Sequence, residues 1–386
     1  MESNQRESDK ISTIKRRAKF TLGELGGAFG DWGTLIPFII GYVSIVGMNP
    51  AGIFFCIGFT NIILGIRFNL PLPVEPQKTI GTIAIAQKWT PNLVISTGFG
   101  TGIVWAILGF SGKLEKIVKK VPIVIVRGIQ LGLGLILGWT GIILFSDNFL
   151  LGIISIIIIL IFIKSEKVPS AVILMFIGIF LLFFTETIIA SDIIFNLPKF
   201  EFNLPSLENL LIGMILAGIA QLLLTLTNVM IATVSLIKDL FPDIKTTINS
   251  NSLAINMGMI NIVSPFLGGM PTCHGSGGLA AQYAFGARTG GSMIMEGILE
   301  LFLGLFFSDT LFLIFTVFPQ AILGSMLCYT AFLLGKIAFK DFQFRKIPII
   351  LVSAILSFVF NITIGFLIGL GLYLIFRKKI ENKTNN

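Results

Sequence analysis

The chain has 386 residues, 54% of them hydrophobic and only 12% charged, with a formal net charge of +8. A soluble domain carries about 25% charged residues, so this composition excludes a water-soluble globule and indicates a polytopic membrane protein. Nucleic-acid binding is set aside because the positive charges fall between apolar runs, where they act as topological signals, and Cys56, Cys273 and Cys328 lack metal-ligand spacing, so neither a metal nor a cofactor is expected.

Residues 1–19 are polar and are read as a cytosolic tail, with no signal-peptide pattern ahead of the first span. Beyond them, runs such as IVIVRGIQLGLGLILGWTGIILF (123–145) and LLGIISIIIILIFI (150–163) are continuously apolar. Continuous apolarity predicts membrane helices of about 20 residues, not the alternating strands of a barrel. Gly, Pro and charge punctuation places spans near 20–46, 50–67, 75–88, 93–111, 121–146, 149–164 and 168–189. A second set falls near 207–237, 250–270, 273–285, 291–308, 311–335, 347–361 and 362–377.

This gives an all-α chain of fourteen segments in two sets of seven: residues 20–189, an extracellular loop at 190–206, residues 207–377 and a cytosolic tail at 378–386. The layout puts Arg67, the run KLEKIVKK (113–120), Lys164, Lys167, Lys238, Lys245, Arg288, KIAFKDFQFRK (336–346) and RKK (377–379) on the cytosolic side, and only Lys88 and Lys199 clearly outside. Both termini are therefore cytoplasmic by the positive-inside rule. With an odd number of spans in each half, the second half enters the membrane in the opposite direction, so similarity between the halves implies an inverted repeat. That similarity is present: LPVEP (72–76) precedes the short third element and GMPTC (269–273) the short tenth.

Short, Pro- and Gly-interrupted segments at matching positions point to a transporter's central site. If the stretches near 73 and 271 run extended as short strands and hand over to half-helices, each first turn offers backbone N–H groups and a partial positive charge. The expected guest is an anion, and such irregular backbone must line a cavity inside the protein. In GGMPTCHGSGG (268–278), Pro271 bars a preceding helical turn, Thr272 is a cap, and His274, Gly275 and Ser276 supply donors.

GGAFGDWGTLIPFI (26–39), LPVEPQKTIGTIAIA (72–86), QLLLTLTNVMIAT (221–233) with DLFP (239–242), and GGMPTCHGSGGLAAQYAFGARTG (268–290) together resemble the molybdate transporter family related to the SulP sulfate permeases. The resemblance spans nearly everything after residue 20. It implies two inverted seven-helix repeats, with core helices one, three, eight and ten around an oxyanion and a separate gate of helices five to seven and twelve to fourteen. It also implies molybdate as substrate, and relatives of this fold commonly form homodimers. Membrane lipid and the oxyanion are the expected partners. Sulfate or another small oxyanion is the alternative within transport, and an anion channel or a non-transporting sensor the alternative outside it. With no Walker motif and no nucleophile, base and orienter set, an enzyme is not expected.

Several residues carry more than one reading. His274 either donates to the oxyanion, carries a coupling proton, or satisfies buried carbonyls; a zinc site is set aside because it is the one histidine. Glu75 and Lys78, at i and i+3, either neutralise each other or act separately, Lys78 attracting a dianion and Glu75 carrying a proton. Asp31 in GDWG either caps a break in the first helix or gates entry, and is the second proton-coupling candidate. Thr34 and Gln77 are substrate-binding candidates. Gln221 and Asn228, on one helical face, contact either substrate or a neighbouring helix. Gln282 and Tyr283 are assigned to packing or the gate, Arg288 to a cytosolic anchor, and Glu296 with Glu300 to pairing between domains.

Overall fold

The computed structural model describes residues 17–118, 122–163, 165, 168–198, 200, 202–242, 248–339 and 344–381. Most of the N-terminal tail, the last five residues of the C-terminal tail and Lys119, Lys120, Lys164, Lys167, Lys199, Lys245 and Lys340 lie outside the described residues.

In the first half, α1 (Leu22–Ala28) and α2 (Trp32–Gly41) form one broken helix that continues as a π-turn to Val46. Then come α3 (Pro50–Phe68), β1 (Glu75–Pro76), α4 (Lys78–Gln87), α5 (Pro91–Phe110), the short α6 (Leu114–Val118), α7 (Ile123–Phe145), α8 (Phe149–Phe162) and α9 (Ser170–Phe184). In the second half, α10 (Leu207–Gly213), α11 (Ile219–Thr227) and α12 (Val234–Leu240) make one rod interrupted by π-turns at Met214–Gly218 and Asn228–Thr233. α13 (Ser250–Val263), β2 (Thr272–Cys273), α14 (Ser276–Ala284), α15 (Gly291–Phe306), α16 (Ser308–Thr316), α17 (Gln320–Ala338), α18 (Ile347–Val359) and α19 (Ile362–Glu381) complete the chain.

The helix starts follow local chemistry. Asn49, Thr90, Asn148, Ser206 and Asn249 each accept a backbone N–H of the turn that follows. Such caps satisfy donors that the first turn leaves unpaired. Among the described residues, six helical stretches are long and apolar enough to cross a membrane: Leu22–Val46, Pro50–Phe68, Pro91–Phe110, Ile123–Phe162, Leu207–Leu240 and Gln320–Ala338. The stretch Ile123–Phe162 holds two helices, because Asn148 leaves helical dihedrals at φ −142°, ψ 92° and caps α8. Only 17% of its apolar window is buried, so Leu150, Ile154, Ile157, Leu160 and Ile161 face outward. An apolar surface of this extent suits lipid and not water.

One expected span is corrected. Residues 311–335 are not a single crossing but parts of α16 and α17, parted before Pro319, whose ring cannot continue a helix and which sits at the N-cap of α17. α16 also turns 87° away from α15.

Packing pairs elements across the halves: α3 lies along α15, α5 along α13 and α7 along α17. β1 and β2 pair antiparallel, Glu75 opposite Cys273 and Pro76 opposite Thr272, bringing the two half-helices α4 and α14 together. Each strand is held by an asparagine of the preceding long helix. Asn61 Oδ1 accepts the Val74 N–H at 3.2 Å, and Asn261 both accepts the Thr272 N–H at 2.8 Å and donates to the Thr272 carbonyl at 2.7 Å. These bonds satisfy backbone that would otherwise be unpaired at membrane depth.

Candidate anion-binding site

Each half-helix begins where its short strand ends, so both N-termini lie inside the protein. Their first turns are partly closed by side chains from elsewhere in the chain. Gln221 Oε1 accepts the Thr79 N–H at 2.8 Å, and Glu75 Oε1 accepts the Gly278 N–H at 2.6 Å. Glu75 is fully buried, and its other oxygen, Oε2, accepts from Lys78 Nζ at 2.7 Å. The positive end of α14 therefore already faces a carboxylate, supplied by the strand that leads into the other half-helix.

This explains two of the glycines. A Cβ at Gly275 or Gly278 would run into the Glu75 carboxylate, whereas one at Gly277 would meet nothing within 4 Å. The glycine-rich passage makes room for an internal anion first, and leaves open space at Gly277.

That open space belongs to a cavity of about 760 Å³. One wall is Asp31, Thr34, Lys78, Gly277, Gly278 and Ala281; the facing wall includes Ser170 of α9 and Tyr329, Thr330 and Lys336 of α17. At about 30 Å³ per water, the volume takes a tetrahedral anion with water around it. Lys78 is the one partly exposed member of its pair, its side chain 14% accessible against 0% for Glu75. The arrangement offers an approaching anion an ammonium and the first turn of α14; the Thr34 hydroxyl on the same wall donates its one proton to the Asp31 carbonyl at 3.1 Å.

Of the residues singled out from sequence, Asp31, Thr34 and Lys78 line this cavity; the others do not. Gln77 is buried and bonds Thr101 Oγ1 and the Thr272 carbonyl, both at 3.1 Å. Gln221 is spent on Thr79 and Thr225. Ser276 Oγ donates to Asn228 Oδ1 at 3.1 Å, so this pair ties α14 to the π-turn after α11. Gly275 is the N-cap of α14, packed against Glu75.

His274 is fully buried, with Nδ1 3.1 Å from the Pro73 carbonyl and Nε2 2.8 Å from Asn256 Oδ1. Both ring nitrogens are thus committed to protein groups. The ring bridges LPVEP to α13.

Two further expectations change. Asp31 occupies the N-cap of α2 but makes no side-chain cap bond; its Oδ1 instead accepts from Gln282 Nε2 at 3.2 Å. Glu296 and Glu300 do not pair the domains: Glu296 accepts from Trp32 Nε1 at 3.0 Å and Gln282 Nε2 at 2.7 Å, and Glu300 from Asn61 Nδ2 at 2.8 Å. These partners lie on α2, α14 and α3. Arg288 bonds the Tyr283 and Ala287 carbonyls and stacks 3.6 Å from the Tyr283 ring, at the negative end of α14. Tyr329 and Thr330 carried no signal in the sequence, because a polar residue on an apolar helix does not show which cavity it faces.

Comparison with known proteins adds three findings. The profile of a family described as molybdate transporters of the MFS superfamily matches residues 23–137 and 213–334. Molybdate transporter 2 of Arabidopsis thaliana is 30% identical, over 92% of this chain and 87% of its own, and molybdate transporter 1 of Chlamydomonas reinhardtii is 24% identical, over 92% and 91%. Among solved structures, SLC26A9 superposes with a TM-score of 0.69 at 12% identity, covering 97% of this chain and 69% of that one. The transmembrane domain of the cyanobacterial bicarbonate transporter BicA does so with a TM-score of 0.67 at 16% identity, covering 91% and 98%. At such identities the structures speak for a shared fold.

Proposed function

The chain belongs to the molybdate transporter family, and from this we propose that it is a secondary transporter that takes up molybdate across the cell membrane. As a member of that family it is a transporter and not an enzyme. The observation that carries the reading is Lys78 Nζ at the wall of a cavity whose neighbouring surface is the uncapped side of the α14 first turn, at Gly277. The dianion is held there by Lys78 and by backbone N–H groups of the α14 first turn. Charge-assisted bonds of this kind are about twice as strong as neutral ones. Gln77, Gln221, Asn228, Gly275, Ser276 and His274 shape the site without touching substrate.

The fourteen segments are read as two inverted repeats, 20–189 and 207–377. The reading is supported by the reciprocal packing of α3 on α15 and α13 on α5, and by the matched roles of Asn61 and Asn261. The cavity opens beside Lys336, the side that the positive-inside rule assigns to the cytosol, so this is an inward-open state with both termini cytoplasmic. Transport is then movement of the half-helices and their partners past the wall formed by α9 and α17.

Uptake of molybdate into proteoliposomes tests the reading, with sulfate as competitor. Accumulation above empty vesicles that an equal concentration of sulfate leaves in place supports it. No uptake under any gradient rejects it, and full suppression by sulfate reassigns the substrate.

A further inference from the structure

The core holds three carboxyl groups that anion binding leaves without a role: Asp31, Glu296 and Glu300. All three are buried, at 1%, 2% and 0% exposure. No Lys or Arg pairs with them among the described residues; the carboxylate that Lys78 pairs with is Glu75. Isolated buried carboxylates are too costly to persist as anions.

Their hydrogen bonds show where the charge goes. One nitrogen, Gln282 Nε2, donates to both Asp31 Oδ1 and Glu296 Oε2, while Gln282 Oε1 accepts from Ser292 at 3.3 Å. The amide of Gln282 is therefore fully used. The Asp31 and Glu296 carboxyl oxygens therefore meet at one amide nitrogen, with no ion pair to either among the described residues. Two buried carboxyl groups drawn to one neutral amide cannot both stay ionised, so the pair holds a proton. Asp31 Oδ2 and Glu300 Oε1 are buried with no hydrogen-bond partner among the described residues. Glu300 lies one turn beyond Glu296 on the same face of α15, and its partner Asn61 holds the backbone of Val74, next to Glu75. Glu75, by contrast, is satisfied as an anion by Lys78 and Gly278.

From this geometry we infer that Asp31 and Glu296 form a shared proton-binding site that opens onto the substrate cavity through Asp31, with Glu300 as a second station behind it. The inference rests on the oxyanion reading of that cavity. An ionised Asp31 on the wall repels an incoming dianion; a proton held between Asp31 and Glu296 removes that charge. Substrate and proton therefore enter together, and the loss of either to the cytosol disfavours retention of the other, as reciprocal linkage requires. The groups acting on the trio are Glu75 from β1, Lys78 from α4, Trp32 from α2, Gln282 from α14 and Asn61 from α3. Glu24 on α1 is engaged elsewhere, with Thr289 Oγ1 and the Arg288 N–H.

Two measurements on the full-length protein test this. In proteoliposomes, acidifying the outside accelerates molybdate uptake by the wild type; in Glu296→Gln the ratio of uptake with and without the gradient falls to about one, and Glu296→Asp keeps part of the response. In detergent, infrared spectroscopy of the wild type at neutral pH shows the C=O band of a buried carboxylic acid, and Glu296→Gln shifts and weakens it. Wild-type uptake that ignores the pH gradient, a full gradient response in Glu296→Gln, or absence of the acid band overturns the inference. A wild type that shows the band but carries no molybdate under any gradient supports the shared proton and overturns the transport reading alone.

Discussion

The Glu75 carboxylate, on the strand entering one half-helix, accepts the N–H of Gly278 in the first turn of the other at 2.6 Å. Because a methyl at 278 would occupy the carboxylate's position, Gly278→Ala is expected to lower stability by about 1–3 kcal/mol, the usual cost of overpacking a tight site. Gly277→Ala, one residue away in open space, keeps wild-type stability or gains a few tenths of a kcal/mol from reduced backbone freedom. Thermal unfolding of the two purified variants in one detergent makes the comparison; equal melting temperatures would contradict the assigned contact.

Lys78 has two tasks, and a double substitution separates them. Lys78→Gln leaves Glu75 buried without its cation, a loss of about 3–5 kcal/mol in comparable sites. Adding Glu75→Gln removes the stranded charge and returns most of that stability. Uptake does not return with it: the half-saturating molybdate concentration stays roughly ten- to a hundred-fold raised, as expected for a lost charge-assisted bond of about 1.5–3 kcal/mol. Recovery of wild-type uptake in the double variant would remove Lys78 from the binding site.

His274 is assigned a scaffold role, bridging Pro73 and Asn256. His274→Ala should therefore cost about 1–3 kcal/mol through unsatisfied buried groups. The fraction that folds should bind molybdate with unchanged half-saturation. A selective rise in half-saturation without loss of stability would return the imidazole to the substrate.

Ala281 lies on the cavity wall, whereas the natural Cys56 and Cys273 are buried. A cysteine placed at 281 is expected to react with a hydrophilic thiol reagent and to be protected by molybdate. Labelling from the side opposite Lys336, or no protection at saturating molybdate, would contradict the placement of the cavity mouth.

Much of the architecture was legible because the membrane leaves so few choices. Continuous apolar runs, the broken motif at GDWG and the paired interruptions at LPVEP and GMPTC located most helices and both half-helices. Pro319 was legible as the start of the twelfth span, but the bounds 311–335 overran it, because the apolar run continues through Phe318. Side-chain assignments transferred less well, for a physical reason. At these half-helix starts the sequence shows which polar residues are present but not whether another protein group reaches them first. Gln77, Gln221 and His274 each found an internal partner, and Glu75 took the position expected for the ion. Glu296 and Glu300 were visible as two acids one turn apart, yet their partners Trp32, Gln282 and Asn61 come from three other helices, which no local spacing reveals.

The strand pairing of Glu75 with Cys273 also sets an order of assembly. Residues 75 and 278 are 203 positions apart, so when the first half leaves the ribosome its strand edge and the Glu75 carboxylate have nothing to close against. That half must wait, its irregular backbone shielded by water or by the insertion machinery, until β2 arrives. Loop-closure entropy over so long a separation makes this a late step of folding. The two halves made as separate chains, cut within 190–206, should accumulate only when co-expressed, each acting as the other's chaperone.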